Sequence, residues 1–231
     1  MLSFVVPAYN EERLIGATLE AIHASARELG LAYEVVVADD ASTDATAAIA
    51  AAAGARVVPV EHRKISATRN SGARAARGGR LVFVDADTRV NAAVVRAALA
   101  AMDAGAVGGG AQVAFDEEAP RWGHAAIGPV IGFMRVFNWA AGCFIFCTRE
   151  AFERAGGFDE AYFAGEEIHF SRALGRLGRF VVLREAVTTS ARKAHGRTFW
   201  QTLAFTARLL ARNPRGVKRR DEAGFWYDGR R

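Results

Sequence analysis

Cysteine is nearly absent, with only Cys143 and Cys147 in 231 residues. On a strand, a spacing of four puts both side chains on one face but well apart, which disfavours a disulfide between them. With no second pair present, a zinc site is disfavoured too. The two read as small buried hydrophobes in a reducing compartment. A basic, then apolar, then small-residue leader is also missing before the first apolar run, so a cytoplasmic chain is expected. An uninterrupted apolar run of roughly 20 residues, as a membrane span requires, is lacking as well. Residues 122–141 with Cys143–Cys147 come nearest, but Arg135, Asn138, Gly128-Pro129 and Gly142 interrupt them. An amphipathic helix followed by a core strand is expected there, with peripheral contact at the inner face of a membrane.

What is present suits a globular protein. Hydrophobic residues make up 51% and charged residues 24%, which leaves no room for large-scale disorder. The length predicts one domain over 1–197 and a C-terminal helix with a basic-aromatic tail over 198–231. Net charge is +5, and Arg208, Arg212, Arg215, Lys218, Arg219 and Arg220 follow one another without an acid. Such a segment meets anionic lipid, phosphorylated substrates or nucleic acid, or is simply a solvated helix and tail. Nucleic acid ranks last because nothing else in the chain supports it.

Four short Val-rich runs, Leu2–Val6, Glu34–Ala38, Arg56–Val60 and Leu81–Val84, read as strands, most of them buried on both faces. Helical stretches separate them at Glu11–Leu29, Ala45–Ala53 and Lys64–Arg77. Alternation of this kind predicts an α/β fold, a central and mainly parallel sheet flanked by helices. Further on we expect a helix over Ala92–Met102, a strand over Ala111–Phe115 preceded by Gly108-Gly109-Gly110, and helices over Arg149–Ala155 and Glu166–Leu177. A strand over Phe180–Leu183 and a helix over Thr198–Leu210 complete the reading.

Ligands of open parallel sheets bind beyond the carboxyl ends of the strands. The loops there carry Pro7-Ala8-Tyr9-Asn10-Glu11-Glu12, Asp39-Asp40-Ala41-Ser42-Thr43-Asp44 and Asp85-Ala86-Asp87-Thr88. Two carboxylates one residue apart can approach a hard cation such as Mg²⁺ or Mn²⁺, which shares itself with substrate phosphates. Alternatively, Asp87, Thr88 or Asn91 caps the next helix. Asp39-Asp40 divides the same way, between hydrogen bonds to a base or ribose and a turn in which Ser42, Thr43 or Asp44 caps. Arg69 offers a guanidinium to a phosphate or base, or to Asp39 or Asp85. Glu166 and Glu167 suit the first turn of a helix whatever they do, yet either can also act as a general base. His195, between Lys193 and Arg197, reads alone as structural or exposed.

Taken jointly, Val5-Val6-Pro7-Ala8-Tyr9-Asn10-Glu11-Glu12, Asp39-Asp40-Ala41-Ser42-Thr43-Asp44, Ala67-Thr68-Arg69-Asn70-Ser71-Gly72-Ala73 and Phe83-Val84-Asp85-Ala86-Asp87 resemble glycosyltransferase family two. Ala151-Phe152, Gly156-Gly157-Phe158-Asp159-Glu160 and Gly165-Glu166-Glu167 continue the resemblance in order, over about residues 3–178. It implies a GT-A fold and an inverting, hexosyltransferase-type enzyme that draws on a nucleotide-diphosphate sugar. By the same resemblance Pro7, Ala8, Tyr9 and Glu11 line the nucleotide pocket. Asp39 or Asp40 bonds the base with Arg69 close by, and Asp85 with Ala86 meets the ribose or sugar. Asp87 would bind Mg²⁺ or Mn²⁺, with His195 as a further metal or diphosphate ligand. Glu167, or its neighbour Glu166, stands where the family has its aspartate base.

The family's processive synthases carry Gln-x-x-Arg-Trp, whereas Gln201 is followed by Thr-Leu-Ala-Phe, so single-sugar transfer is expected. The acceptor is a hydroxyl or a phosphate, lipid-linked or soluble. A nucleotidyltransferase would show a Gly-rich loop after the first strand, and a dinucleotide-dependent dehydrogenase a Gly-x-Gly-x-x-Gly turn after a strand. From another class, a non-catalytic nucleotide-sugar-binding module is the alternative.

Overall fold

The computed structural model describes residues 1–116, 140–190 and 218. Expected features at 122–139, the helix Thr198–Leu210, the basic tail apart from Lys218, Gln201 and His195 lie outside the described residues. The chain runs β1 (Leu2–Ala8), α1 (Ile15–Glu28), β2 (Tyr33–Asp40), α2 (Thr46–Ala52), β3 (Arg56–Val60), α3 (Ile65–Ala75) and β4 (Arg80–Val84). It continues with β5 (Thr88–Arg89), α4 (Ala92–Asp103), β6 (Gly108–Phe115), β7 (Phe144–Thr148), α5 (Arg149–Ala155), α6 (Glu166–Leu177) and β8 (Phe180–Thr189).

All the strands join one sheet, ordered β3-β2-β1-β4-β7-β6-β8-β5. β1 is parallel to both β2 and β4, and β2 to β3. β7 runs against both β4 and β6, while β6 and β8 are parallel. The apolar runs are continuous because both faces of the sheet are covered. Phe4, Val6, Val35, Val37, Val82, Val84, Phe144 and Phe146 face a core shared with Ile15, Leu19 and Ile22 of α1 and Val94 and Val95 of α4. The alternate residues Val5, Val36, Leu81, Phe83, Ile145 and Cys147 face a second core with α3, α5 and α6. That second core centres on Phe83, whose ring meets those of Phe158, Phe170 and Phe152 at 5.0, 6.3 and 5.8 Å.

Three differences from the sequence reading have identifiable causes. The triplet Gly108-Gly109-Gly110 lies inside β6 rather than before it, because the strand is squeezed between its neighbours. A Cβ at Gly109 would lie 2.1 Å from the Val181 carbonyl oxygen, and one at Gly110 2.4 Å from the Ala140 Cβ. Glycine therefore serves here for close approach rather than for a turn. β8 runs on to Thr189 through polar Arg184 and Glu185, across a register shift in its pairing with β6. Its far end pairs with the two-residue β5, which no apolar run announced. Finally, Cys143 sits in the turn before β7 and packs on the first core, whereas Cys147 belongs to the second. Both thiols are free, and burial pushes both well above the ordinary thiol range. No helix among the described residues is long and apolar enough to cross a membrane.

Candidate active site

The carboxyl ends of β1, β2 and β4 open onto one cleft, whose empty space is about 400 Å³ when its solvent-open mouth is counted. Pro7, Ala8, Tyr9, Glu11, Asp40, Asp85, Ala86 and Asp87 line it, joined by Ile65 and Thr68 of α3. The last two were not singled out from the sequence. Their spacing of three on α3, which puts them on one helical face, was the available signal. Asp39, Arg69, Glu166 and Glu167 stand around the cleft without lining it.

The floor is built by two loops tied to each other. The Asn10 N–H donates to Ser42 Oγ at 3.0 Å, and the Thr43 N–H to Asn10 Oδ1 at 2.8 Å. The Glu11 N–H donates to Thr46 Oγ1 at 2.7 Å, and the Ala45 N–H to the Glu12 carboxylate at 3.1 Å. Asn10 and Ala41 have φ of 52° and 57°, left-handed backbone that non-glycine residues seldom adopt and that these cross-links hold.

The capping alternatives are resolved by geometry. Asn91 is the N-cap of α4, its side chain accepting the Val94 N–H at 2.9 Å. Asp87 is therefore not spent on the helix. Its Oδ1 instead lies 3.4 and 3.5 Å from the hydroxyls of Thr189 and Thr88, and its carbonyl accepts the Ser190 N–H at 3.1 Å. Ahead of α2 it is Asp44 that accepts the Thr46 N–H, at 3.0 Å. Asp39 keeps a buried Oδ1 without a partner among the described residues, and its Oδ2 only weakly accepts from the Ser42 N–H at 3.4 Å. Asp40 is fully engaged. Oδ1 accepts the N–H groups of His62 and Arg63 at 2.6 and 2.9 Å, and Oδ2 the Lys64 N–H and the Thr68 hydroxyl at 3.1 and 2.9 Å.

Arg69 is 1% exposed and spans the site. It donates to Asp85 Oδ1 at 2.7 Å, to Glu166 Oε1 at 2.8 Å and to the Gly142 carbonyl at 2.9 Å. The guanidinium carbon lies 5.2 Å from the centre of the Phe158 ring, so the aromatic core supports the ion pairs from beneath. The next residue, Asn70, accepts the Phe158 N–H at 2.8 Å and donates to the Phe158 carbonyl and to Glu160. A Cβ at Gly157 would come within 2.6 Å of Asn70 Oδ1, and its φ is 75°, so glycine is required there. Arg69 and Asn70 thus join α3 to the turn 157–160 and to α6.

Glu166 and Glu167 open α6. Burial, then the adjacent Glu167 carboxylate, raises the Glu166 carboxyl above its ordinary range, with Arg69 opposing. Burial raises half-buried Glu167 too, against its own backbone N–H, Arg69 and a hydrogen bond with Glu166. Two carboxyls in this relation titrate as a pair.

Among the described residues no three His, Cys, Asp or Glu side chains gather as a protein-only metal cage. Asp85 and Asp87 at a strand end are nonetheless the donor set expected for Mg²⁺ or Mn²⁺. Such a cation takes one or two carboxylates and completes its shell with phosphates and water.

The mixed sheet with acidic loops at its carboxyl edge and helices on both faces is the architecture of the GT-A class of transferase folds. Residues 3–162 match the model of glycosyl transferase family 2, and the chain belongs to that family. It is 36% identical over 119 residues to the succinoglycan biosynthesis protein ExoO of Rhizobium meliloti, a match covering 50% of this chain and 32% of that one. Over 98 residues it is 36% identical to the undecaprenyl-phosphate 4-deoxy-4-formamido-L-arabinose transferase of Pseudomonas paraeruginosa, covering 38% of this chain and 28% of that one. The matches thus span about a third or less of those relatives' lengths. In fold, the chain resembles the mannosyltransferase PcManGT from Pyrobaculum calidifontis in complex with GDP-Man and Mn²⁺. The TM-score is 0.70 at 21% identity, over 99% of this chain and 72% of that one.

Proposed function

We propose that this chain transfers a sugar from a nucleotide-diphosphate donor to an acceptor hydroxyl or phosphate, with inversion, metal assistance and one sugar per encounter. The observation that carries this reading is the span of Arg69, which holds Asp85 on the donor cleft and Glu166 at the start of α6. A displacement reaction needs its leaving group and its base held in a fixed relation across one carbon, and Arg69 ties an acid of the cleft to the helix that carries the candidate base.

Pro7, Ala8, Tyr9 and Glu11 form the wall against which the nucleoside lies. Asp39 and Asp40 stand at its base end, and Asp85 and Ala86 beside the ribose and sugar. Asp87, with Asp85 beside it and His195 as a further candidate, would hold Mg²⁺ or Mn²⁺. When bound, that cation neutralises charge on the departing diphosphate. Glu166 is committed to Arg69 and buried, so it serves as the anchor. Glu167, half-buried beside it, takes the proton from the acceptor as the new bond forms on the face opposite the leaving diphosphate. Burial keeps the Glu167 carboxyl raised, and a base nearer neutrality is a stronger one.

The acceptor class is proposed as a phosphate or hydroxyl, including lipid-linked phosphate, in keeping with the similarity to the undecaprenyl-phosphate transferase of Pseudomonas paraeruginosa. Peripheral membrane contact and a cytoplasmic location belong to the same proposal. A thermal-shift panel of UDP-, GDP- and dTDP-sugars with and without Mn²⁺ tests the donor side, since a ligand that binds the native state raises the melting point further the more tightly it binds. Transfer and donor hydrolysis are then compared between the wild type and Glu167→Gln. Absence of any shift defeats the donor reading, and equal turnover in both proteins defeats the base.

A further inference from the structure

Arg63 has no part in the reaction as described, yet the fold goes to some length to place it. Its guanidinium lies 4.4 Å over the ring of Tyr9, and Tyr9 lines the cleft. Its backbone has a φ of 52°, where a side chain costs about 1 kcal/mol or more. Asp40 holds it there, since that carboxylate receives the consecutive N–H groups of His62, Arg63 and Lys64. With Thr68 added, each Asp40 oxygen already has two donors, which fills its lone pairs. Asp40 therefore builds the loop, and Arg63 is what the loop presents. Among the described residues no carboxylate forms a salt bridge with the Arg63 guanidinium.

Position decides which part of a donor Arg63 meets. Asp40 ends β2 and Asp87 follows β4, with β1 between them. Two strand spacings, about 10 Å, separate the ends of the cleft. With the diphosphate at Asp87, the base falls at the Asp40 and Arg63 end. We propose that Arg63 is a specificity-determining residue that donates to a carbonyl of the donor's nucleobase, its plane fixed by stacking on Tyr9. This rests on the nucleotide-sugar reading above. A guanidinium only donates, so it matches the ring carbonyls of uracil, thymine and guanine. Adenine accepts only at ring nitrogens and carries an amino donor where guanine carries its carbonyl, so a guanidinium set for the carbonyl disfavours it.

The test is calorimetric titration of the full chain with Mn²⁺ and UDP, GDP, dTDP, ADP or inorganic pyrophosphate, on wild type, Arg63→Ala and Arg63→Gly. Glycine accepts the left-handed backbone freely, so that variant keeps the loop while losing the guanidinium. Wild type is expected to bind at least one carbonyl-bearing nucleotide about tenfold or more tighter than ADP. Both variants should lose about ten- to a hundredfold for that nucleotide, the scale of one charged hydrogen bond, with ADP and pyrophosphate little changed. Unchanged affinities overturn the proposal. So does an equal loss for every ligand including pyrophosphate, which would make Arg63 a phosphate contact. Failure of wild type to bind any of the nucleotides would instead strike the nucleotide-sugar reading itself.

Discussion

Asp85, which lines the cleft, and Glu166, which opens α6 outside that lining, are held by the two terminal nitrogens of one guanidinium, at 2.7 and 2.8 Å from Arg69. Glu166 and Arg69 are buried while Asp85 is only partly so. The arrangement makes the end of β4 and the start of α6 a single mechanical unit.

Removing Arg69 leaves Glu166 buried without its cation. Arg69→Ala is expected to lose about 3–5 kcal/mol of unfolding free energy, the scale for breaking a buried pair from one side. Urea denaturation measures it. A loss below about 1 kcal/mol would show that the pair does not hold the site together.

The raised carboxyls of Glu166 and Glu167 give activity and stability opposite dependences on pH. A base must be ionised, so turnover should fall on acidification with a midpoint above the ordinary carboxylate value of 4.5. Between that value and the raised folded values the native protein holds more protons than the unfolded chain, so stability declines as pH rises through the window. Glu166→Gln should flatten the decline. A turnover midpoint at or below 4.5 would contradict the placement of the base.

Asn91 and Asp87 should separate stability from function. Asn91→Ala loses the α4 cap and about 1 kcal/mol, with donor binding retained. Asp87→Asn caps nothing, and should abolish the Mn²⁺-dependent part of the donor's thermal shift. Should Mn²⁺ continue to enhance donor binding in the asparagine variant, Asp87 is not the metal ligand.

Gly109 gives a purely structural prediction. A methyl group there meets the Val181 carbonyl at 2.1 Å, so Gly109→Ala must push β6 from β8. A cost of about 1–3 kcal/mol or more is expected in chemical denaturation.

The parallel half of this fold was legible because its strands are apolar on both sides and its helices carry periodic faces. Helices α5 and α6 also begin and end at the residues where their patterns do. The cleft was legible through strand-end acids, and Pro7, Ala8, Tyr9, Glu11, Asp40 and Asp85–Asp87 all reach it. What escaped was set by partners far along the chain. β5 exists because β8 lies beside it, and the glycines of β6 are strand because Phe146 and Val181 crowd them. Arg69 sits in a motif whose position was evident, but nothing local to that motif shows that its guanidinium points at Glu166. Arg63 was overlooked for the same reason, since its meaning depends on Asp40 and Tyr9.

The cross-links between the loops after β1 and β2 have a consequence for how a ligand is met. Asn10, Glu11 and Glu12 are each fastened to residues between Ser42 and Thr46. Neither loop can shift alone, so a nucleotide docking as proposed would find that side of its berth already moulded. Little ordering entropy is lost there on docking, and more of the gross attraction is left to appear as affinity.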